Sequence, residues 1–358
     1  YVDNLIHAMH AHRPDRQIVL AEVGSTPMAN DVVECIPCYD SKQDFVASIA
    51  EAAQRTRPDV AIIQYTTDLF GNDNRMPRLV ARLRELGVRP VVNLHSVYPE
   101  TWRSGYRPGR SIGAFDRALA EHVSLITVHT PRMMRDLLAH GIAPDKIAVV
   151  PHGSPPIVEL DTEKCRAKLN IEQDAKVILF FGFIWLGKGL SFLLDVFRDV
   201  LREVPEAYLL VAGHTKRRLW SGYVTYLQTR AALLGISRRT RFWGGYVPQD
   251  LSETVYGAAD VVAMPYLQDY SSVSGVMHET ASMGRLMPCS RIAKFDEVET
   301  SIDPELCVPV RDRQAWAKTM VRLLRDQAWA GQMRRKLVDF ARQVSWENVG
   351  RMHWDLYD

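Results

Sequence analysis

Short apolar runs alternate with amphipathic windows along most of the chain. Runs at 18–21, 60–63, 91–94, 125–128 and 147–150 read as strands in the first half, and 177–181, 208–211, 241–243 and 261–264 in the second. Between them, apolar residues recur at helical spacing in windows at 44–55, 76–86, 131–140, 190–204, 223–234 and 251–256. Continuous apolar strands separated by amphipathic helices predict an α/β protein with parallel, doubly wound sheets, because crossover helices cover both faces of each strand. Pro151-His152-Gly153-Ser154-Pro155-Pro156 breaks the alternation and reads as a hinge between two such domains. Domains are therefore expected at 1–155 and 156–343, followed by an amphipathic, aromatic segment at 344–358. The start is odd: Tyr1 to Met9 has the pattern of a helix with no strand or cap before it. A doubly wound domain needs a first strand and a glycine turn there, so the sequence is expected to lack its true N-terminus.

Bulk properties narrow the class. A length of 358 residues suits two domains, and 47% hydrophobic with 24% charged residues is a globular composition. The net charge of +2 gives no global reason to expect nucleic acid. Arginine is dense between Arg103 and Arg117 and in Lys216-Arg217-Arg218, runs that are most often solvated faces. No apolar run approaches the roughly 20 residues of a membrane helix, and no signal peptide is visible. The five cysteines are irregularly spaced, and Cys35-Ile-Pro-Cys38 lacks the further ligands a zinc site needs, so ordinary thiols in a reducing cytoplasm are expected.

The most informative stretch runs from Met264 to Met287. An apolar strand ends at Pro265, a loop of Tyr, Gln, Asp and Ser follows, and Ser274-Gly275 opens a helix whose apolar positions are Val276, Met277, Thr280, Ala281 and Met283. The unpaired N–H groups and positive dipole end of such a helix attract an anion. Glu279, one turn inside, is placed to accept bonds from sugar hydroxyls. Together these residues suggest a pocket for a diphosphate joined to a sugar.

Five segments then carry a resemblance. Phe180-Phe181-Gly182-Phe183-Ile184-Trp185-Leu186-Gly187-Lys188-Gly189-Leu190 resembles a strand–loop–helix reading F-G-x-[IL]-R-x-x-K-G. Val91 to Pro99, with His95 after its strand, resembles an acceptor-domain segment, and Val150-Pro151-His152-Gly153 an interdomain V-P-H-G. Ser274-Gly275 through Glu279 resembles a donor helix, and Trp346-Glu347-Asn348-Val349 a helix returning to the first domain. All five, in this order, resemble the GT-B retaining glycosyltransferases of group 1 (GT4-like). The resemblance covers nearly the whole chain. It implies two Rossmann-like domains facing a cleft, with the C-terminal helix packed back on the N-terminal, acceptor-binding domain and the nucleotide sugar bound by the second.

The resemblance also implies roles. Lys188 would place a charge on the departing diphosphate, with Gly182, Trp185, His214, Ser271, Ser272, Ser274, Gly275, Val276 and Glu279 around the donor. Glu279 would hold the ribose, and His95 would stabilise charge at the sugar, so His95, Lys188 and Glu279 are the catalytic candidates. Tyr98, Trp102, Arg103 and His152 are the acceptor-side candidates. Two positions depart from the family. Trp185 stands where an arginine is common, which leaves a charge to be supplied elsewhere, Arg291 being one source. Ser271 stands where a second acid is common, with Asp269 nearby. Each candidate has an ordinary reading beside it: a turn lysine, a solvated glutamate, a structural histidine, a packed tryptophan. The implied reaction moves a sugar from a UDP- or GDP-sugar to an acceptor hydroxyl, with retention of configuration and no cofactor or metal; the chain contains no Asp-x-Asp pair. The acceptor (saccharide, lipid-linked or small molecule) and the oligomeric state stay open. The basic, aromatic loop from Trp102 to Arg110 suits an anionic acceptor, contact with the inner face of a membrane, or an ordinary lid. An epimerase or phosphorylase on this fold and a non-catalytic binding or scaffold subunit are the alternatives.

Overall fold

Four parallel strands form the central sheet of the first unit, in the order Val60–Tyr65, Arg89–Leu94, Leu125–Val128, Ile147–Val149. A second parallel sheet, in the order Thr240–Phe242, Ala207–Ala212, Lys176–Phe181, Val261–Val262, organises the other. The computed structural model describes residues 1–23, 32–39, 45–100, 111–215 and 221–357. These divide into one unit of Tyr1–Gly153, Tyr270–Val273 and Trp346–Asp358, and another of Ser154–Asp269 and Ser274–Ser345. Every apolar run read as a strand falls on one, within about two residues at the ends. The architecture is α/β with parallel sheets, as the alternation of patterns requires.

The reason is visible in the cores. Val177, Ile178, Leu179 and Phe180 are fully buried in succession, as expected of a strand covered on both faces. The helix Leu190–Glu203 turns Leu193, Leu194, Val196, Phe197 and Val200 inward and keeps its charges outside. Each such leucine or phenylalanine removed from water contributes about 1.5–3 kcal/mol.

The pattern reading passed over several elements. Ile112–His122 is a helix within the arginine-dense stretch; Ser111 caps it, Ile112, Phe115 and Leu119 are buried, and Arg117 reaches Glu100 at 3.1 Å. Arg313–Arg325 and Gln327–Gln343 are helices whose polar residues dilute a narrow buried stripe. Glu34–Tyr39 is a strand whose register with Val19–Val23 breaks at Cys38, and neither Cys35 nor Cys38 is in a disulfide.

In the first unit the last helix, Trp346–Tyr357, packs along the first, Val2–His12. Gly350 lies so close to Ala8 that a Cβ would fall 2.8 Å from its carbonyl carbon, and the Trp354 indole donates to Met9 O at 2.9 Å. Leu5, Met9, Val91, Val150, Trp346, Val349 and Tyr357 close a core of their own there.

Candidate functional site

Strand order in the second unit reverses at Lys176–Phe181, which has Ala207–Ala212 on one side and Val261–Val262 on the other. Connections leave such a point in opposite directions and open a crevice at the carboxyl ends of the strands. The two loops that leave there carry most of the sequence candidates, and they are bound together. Leu267 N–H donates to Gly187 O at 2.9 Å. Gly189, at φ +69°, presses so closely on the loop that a Cβ would sit 1.9 Å from Pro265 O. On the other side, Gly182 N–H donates to Ala212 O and Ile184 N–H to His214 O, while a Cβ on Gly213 would fall 1.8 Å from Gly182 O. The glycines at 189 and 213 therefore allow backbone contact that no other residue permits, and Gly182, at φ +111°, holds a conformation that favours glycine.

Lys188 and the residues around Tyr266 form the centre. The Lys188 ammonium stands 3.5 Å from the centroid of the buried Tyr266 ring. Ser274 lies beside the Tyr266 hydroxyl, and the Phe295 ring packs 5.2 Å away. Burial lowers Lys188 to about 7, and among the described residues no carboxylate pairs with it. Ser274 caps the helix Gly275–Ser282 without a side-chain hydrogen bond to it, and Gly275 is exposed at its first turn. The side chain of Val276 faces Gly182, whose Cβ position is 3.7 Å from it. Glu279, half-buried, accepts from the Tyr256 hydroxyl at 3.0 Å. Burial pushes its carboxyl up, and that hydrogen bond opposes part of the shift.

Trp185 lies over its own turn: a Cβ on Gly187 would meet the indole at 2.2 Å. His214 stands between two exposed rings, Phe183 at 5.1 Å and Tyr246 at 5.3 Å. Arg291 is committed elsewhere, to Glu299 at 3.2 Å and to Cys307 O at 3.1 Å. The Asp269 carboxylate accepts from Ala293 N–H at 2.8 Å.

The remaining candidates lie in the first unit. Ser271 and Ser272 pair antiparallel with Val97 and Ser96, and the Ser271 hydroxyl donates to Asp136. Tyr98 stacks on Tyr270 at 4.7 Å. Trp102 and Arg103, with the loop to Arg110, lie outside the described residues, as do Lys216, Arg217 and Arg218. His95 follows its strand as expected, but it is one of a cluster. His129 Nε2 is 3.3 Å from His95 Nδ1, Gln64 is 2.9 Å from His95 Nε2, and His129 Nδ1 meets Val150 O at 3.1 Å. A carbonyl only accepts, so His129 donates from Nδ1. Gln64 presents its amide Oε1 to His95 Nε2. Burial holds His95 low, at about 4. Tyr1, whose hydroxyl accepts from Asn93 at 2.9 Å, packs edge-on against His95, His152 and Trp346. Gly153 of the hinge is a contact glycine as well, since a Cβ would meet the Trp346 ring at 2.2 Å.

Sequence reasoning missed His129, Tyr256 and Tyr266. His129 carries the signal that singled out His95, a histidine at the end of an apolar strand. Nothing local marks the others; they matter through what the fold places beside them. Among the described residues no group of His, Cys, Asp and Glu suited to a metal ion is assembled.

Comparison with known proteins shows the family. The profile of glycosyl transferases group 1 matches residues 175–326, and that of the glycosyl transferase 4-like domain matches residues 3–153, so that together they take in most of the chain. The chain belongs to the group 1, GT4-like glycosyltransferases. Within this family it is similar to the D-inositol 3-phosphate glycosyltransferases of Corynebacterium efficiens and Corynebacterium urealyticum. The identities are 28% over 250 residues and 29% over 251, in each case 68% of this chain and 58% of the relative. The chain thus spans 58% of the length of those relatives. Among solved structures it is similar to Anabaena HepE in complex with UDP (TM-score 0.77, 14% identity, 99% of this chain and 95% of that one). It is similar also to sucrose-phosphate synthase from Thermosynechococcus elongatus (TM-score 0.75, 17% identity, 100% and 92% covered). At these identities the likeness concerns the fold, which is GT-B.

Proposed function

We propose that the protein transfers a sugar from a nucleotide-sugar donor to an acceptor hydroxyl, with retention of anomeric configuration and without a metal ion. The observation that carries this reading is the half-buried Lys188 ammonium, 3.5 Å over Tyr266 at the point where strand order reverses. An unpaired, partly desolvated cation beside exposed helix N–H groups is suited to a diphosphate. In this reading Lys188 and the N–H groups near Ser274, Gly275 and Val276 hold the leaving diphosphate. Glu279, oriented by Tyr256, accepts from the ribose hydroxyls. The exposed rings flanking His214 offer the nucleobase a stacking surface. The acceptor attacks from the face the diphosphate leaves, and the leaving group takes the proton. His95 is proposed to meet the charge that develops at the sugar. It stays neutral near pH 7 and its ring nitrogens are engaged by Gln64 and His129, so a role as general base is disfavoured.

A uridine donor is the first to test, because the Anabaena relative in fold was solved with UDP and with UDP-glucose. Acceptors include D-inositol 3-phosphate, after the named relatives. The experiment is a thermal-shift screen of UDP, GDP, ADP and TDP with their common sugars in EDTA, followed by nucleotide release with each acceptor and NMR of the product anomer. A nucleotide that binds the folded state raises the melting temperature. Lys188→Ala or Glu279→Ala keeping full donor affinity and turnover would sink the site assignment. A non-catalytic subunit is the second reading, favoured by Trp185 folded on Gly187 and by the Ser271 hydroxyl spent on Asp136. It predicts no shift with any nucleotide.

A further inference from the structure

The turn from Gly182 to Gly189 contributes one ammonium to the site, and Trp185 contributes none. A nucleoside diphosphate carries more than one negative charge, so Lys188 alone leaves part of it unmatched. Arg291 does not fill the gap, since it bonds Glu299 and the carbonyls of Pro304 and Cys307.

Lys294 is placed to do so. It sits in the turn Ala293–Phe295, and both neighbours fasten that turn to the loop under Lys188. Ala293 N–H donates to Asp269 Oδ1 at 2.8 Å, and the buried Phe295 ring packs 5.2 Å from Tyr266, the ring on which the Lys188 ammonium rests. The backbone repeats the connection, with Met264 N–H donating to Pro288 O at 3.0 Å and Ser290 N–H to Met264 O at 3.1 Å. Lys294 is half-buried, and burial together with the charge of Lys188 lowers it to about 7. Two partly desolvated like charges in reach of one another work against folding. A bound anion between them converts that repulsion into attraction.

We infer that Lys294 is a second cation of the nucleoside-diphosphate site, closing with Lys188 as a two-lysine clamp on the diphosphate. The inference rests on the donor reading above and adds to it the group that takes over the charge absent at Trp185. It makes Lys294 a binding residue, with no covalent step of its own.

The test is isothermal titration of UDP, GDP, ADP and TDP, and of their monophosphates, into the wild type and the Lys294→Met, Lys294→Arg and Lys188→Met variants. Methionine keeps the stem and removes only the charge, and far-UV circular dichroism with a melting curve checks folding. Lys294→Met is expected to weaken binding of the nucleoside diphosphate by about tenfold, and of the monophosphate less, since one charge-assisted contact is lost. The salt dependence of binding should become shallower, and Lys294→Arg should restore most of the affinity. If Lys294→Met binds that diphosphate as the wild type does while Lys188→Met does not, the clamp is wrong and the donor site stands. If the wild type binds none of the nucleotides, the donor reading fails and the clamp falls with it. Should Lys294→Met fold poorly, Lys294→Arg and Lys294→Gln decide instead: equal diphosphate affinity in these two overturns the clamp.

Discussion

Lys188 and Lys294 give the second unit a pH dependence whose sign follows from burial. Each is lowered to about 7, whereas an unfolded lysine keeps its proton to about 10.4. Between those values the unfolded chain binds more protons, so stability rises with pH across the window and is lost as pH falls through about 7. Nucleotide binding runs the other way, because only the charged forms hold a diphosphate. Affinity is therefore expected to decline as pH rises above 7. Denaturant midpoints and titrations from pH 6.5 to about pH 10 should show both slopes in the wild type and a flatter response in the Lys188→Met, Lys294→Met double variant; matching profiles would refute the assignment. Glycines make a second prediction at this scale. Gly213→Ala would place a methyl 1.8 Å from Gly182 O, so the loop must move. It should cost about 1–3 kcal/mol of stability and weaken nucleotide binding as well. The residues themselves differ in how far they could be read. Lys188, Glu279 and His95 sit in recognisable local settings. Lys294 has none, and its proposed role is argued from the contacts of its neighbours, Phe295 with Tyr266 and Ala293 with Asp269.

At the scale of elements, close approach decides more than propensity. Gly350 lies inside a helix, where replacement by alanine ordinarily gains about 1 kcal/mol. Here the added methyl would fall 2.8–2.9 Å from Ala8 and force the first and last helices of the unit apart. Gly350→Ala is therefore expected to lower stability by about 1–3 kcal/mol, and equilibrium denaturation showing a gain would overturn that packing account. Gly153 plays the same part against Trp346, which gives the hinge glycine a packing reason in addition to a turn reason. The central strands were legible because both of their faces are buried and their apolar runs are unbroken. Arg313–Arg325 and Gln327–Gln343 were not picked out, since a helix with one narrow buried stripe dilutes its signal with arginine and glutamine. Glu34–Tyr39 was missed because Glu, Pro and two cysteines do not read as a strand until its parallel partner Val19–Val23 is present.

For the whole molecule, nucleotide binding should leave a discontinuous footprint. Hydrogen exchange with saturating UDP is expected to slow at 182–190, 264–269, 274–280 and 293–297, four separate segments that one set of backbone and ring contacts joins in the second unit. Protection confined to one segment, or spread evenly over the chain, would contradict the site. The sequence by itself determined the parallel α/β class, the boundary near 153 and the strand–loop–helix segments on which the anion site is proposed. These rest on hydrophobic period and on glycine, proline and helix-start chemistry, which act between near neighbours. Only tertiary structure decided that Ser271 bonds Asp136, that His95 is tied to His129, and that Phe295, next to Lys294, shares a ring cluster with Lys188. Each is a contact between side chains whose meeting depends on the packing of whole elements, and no local pattern records it.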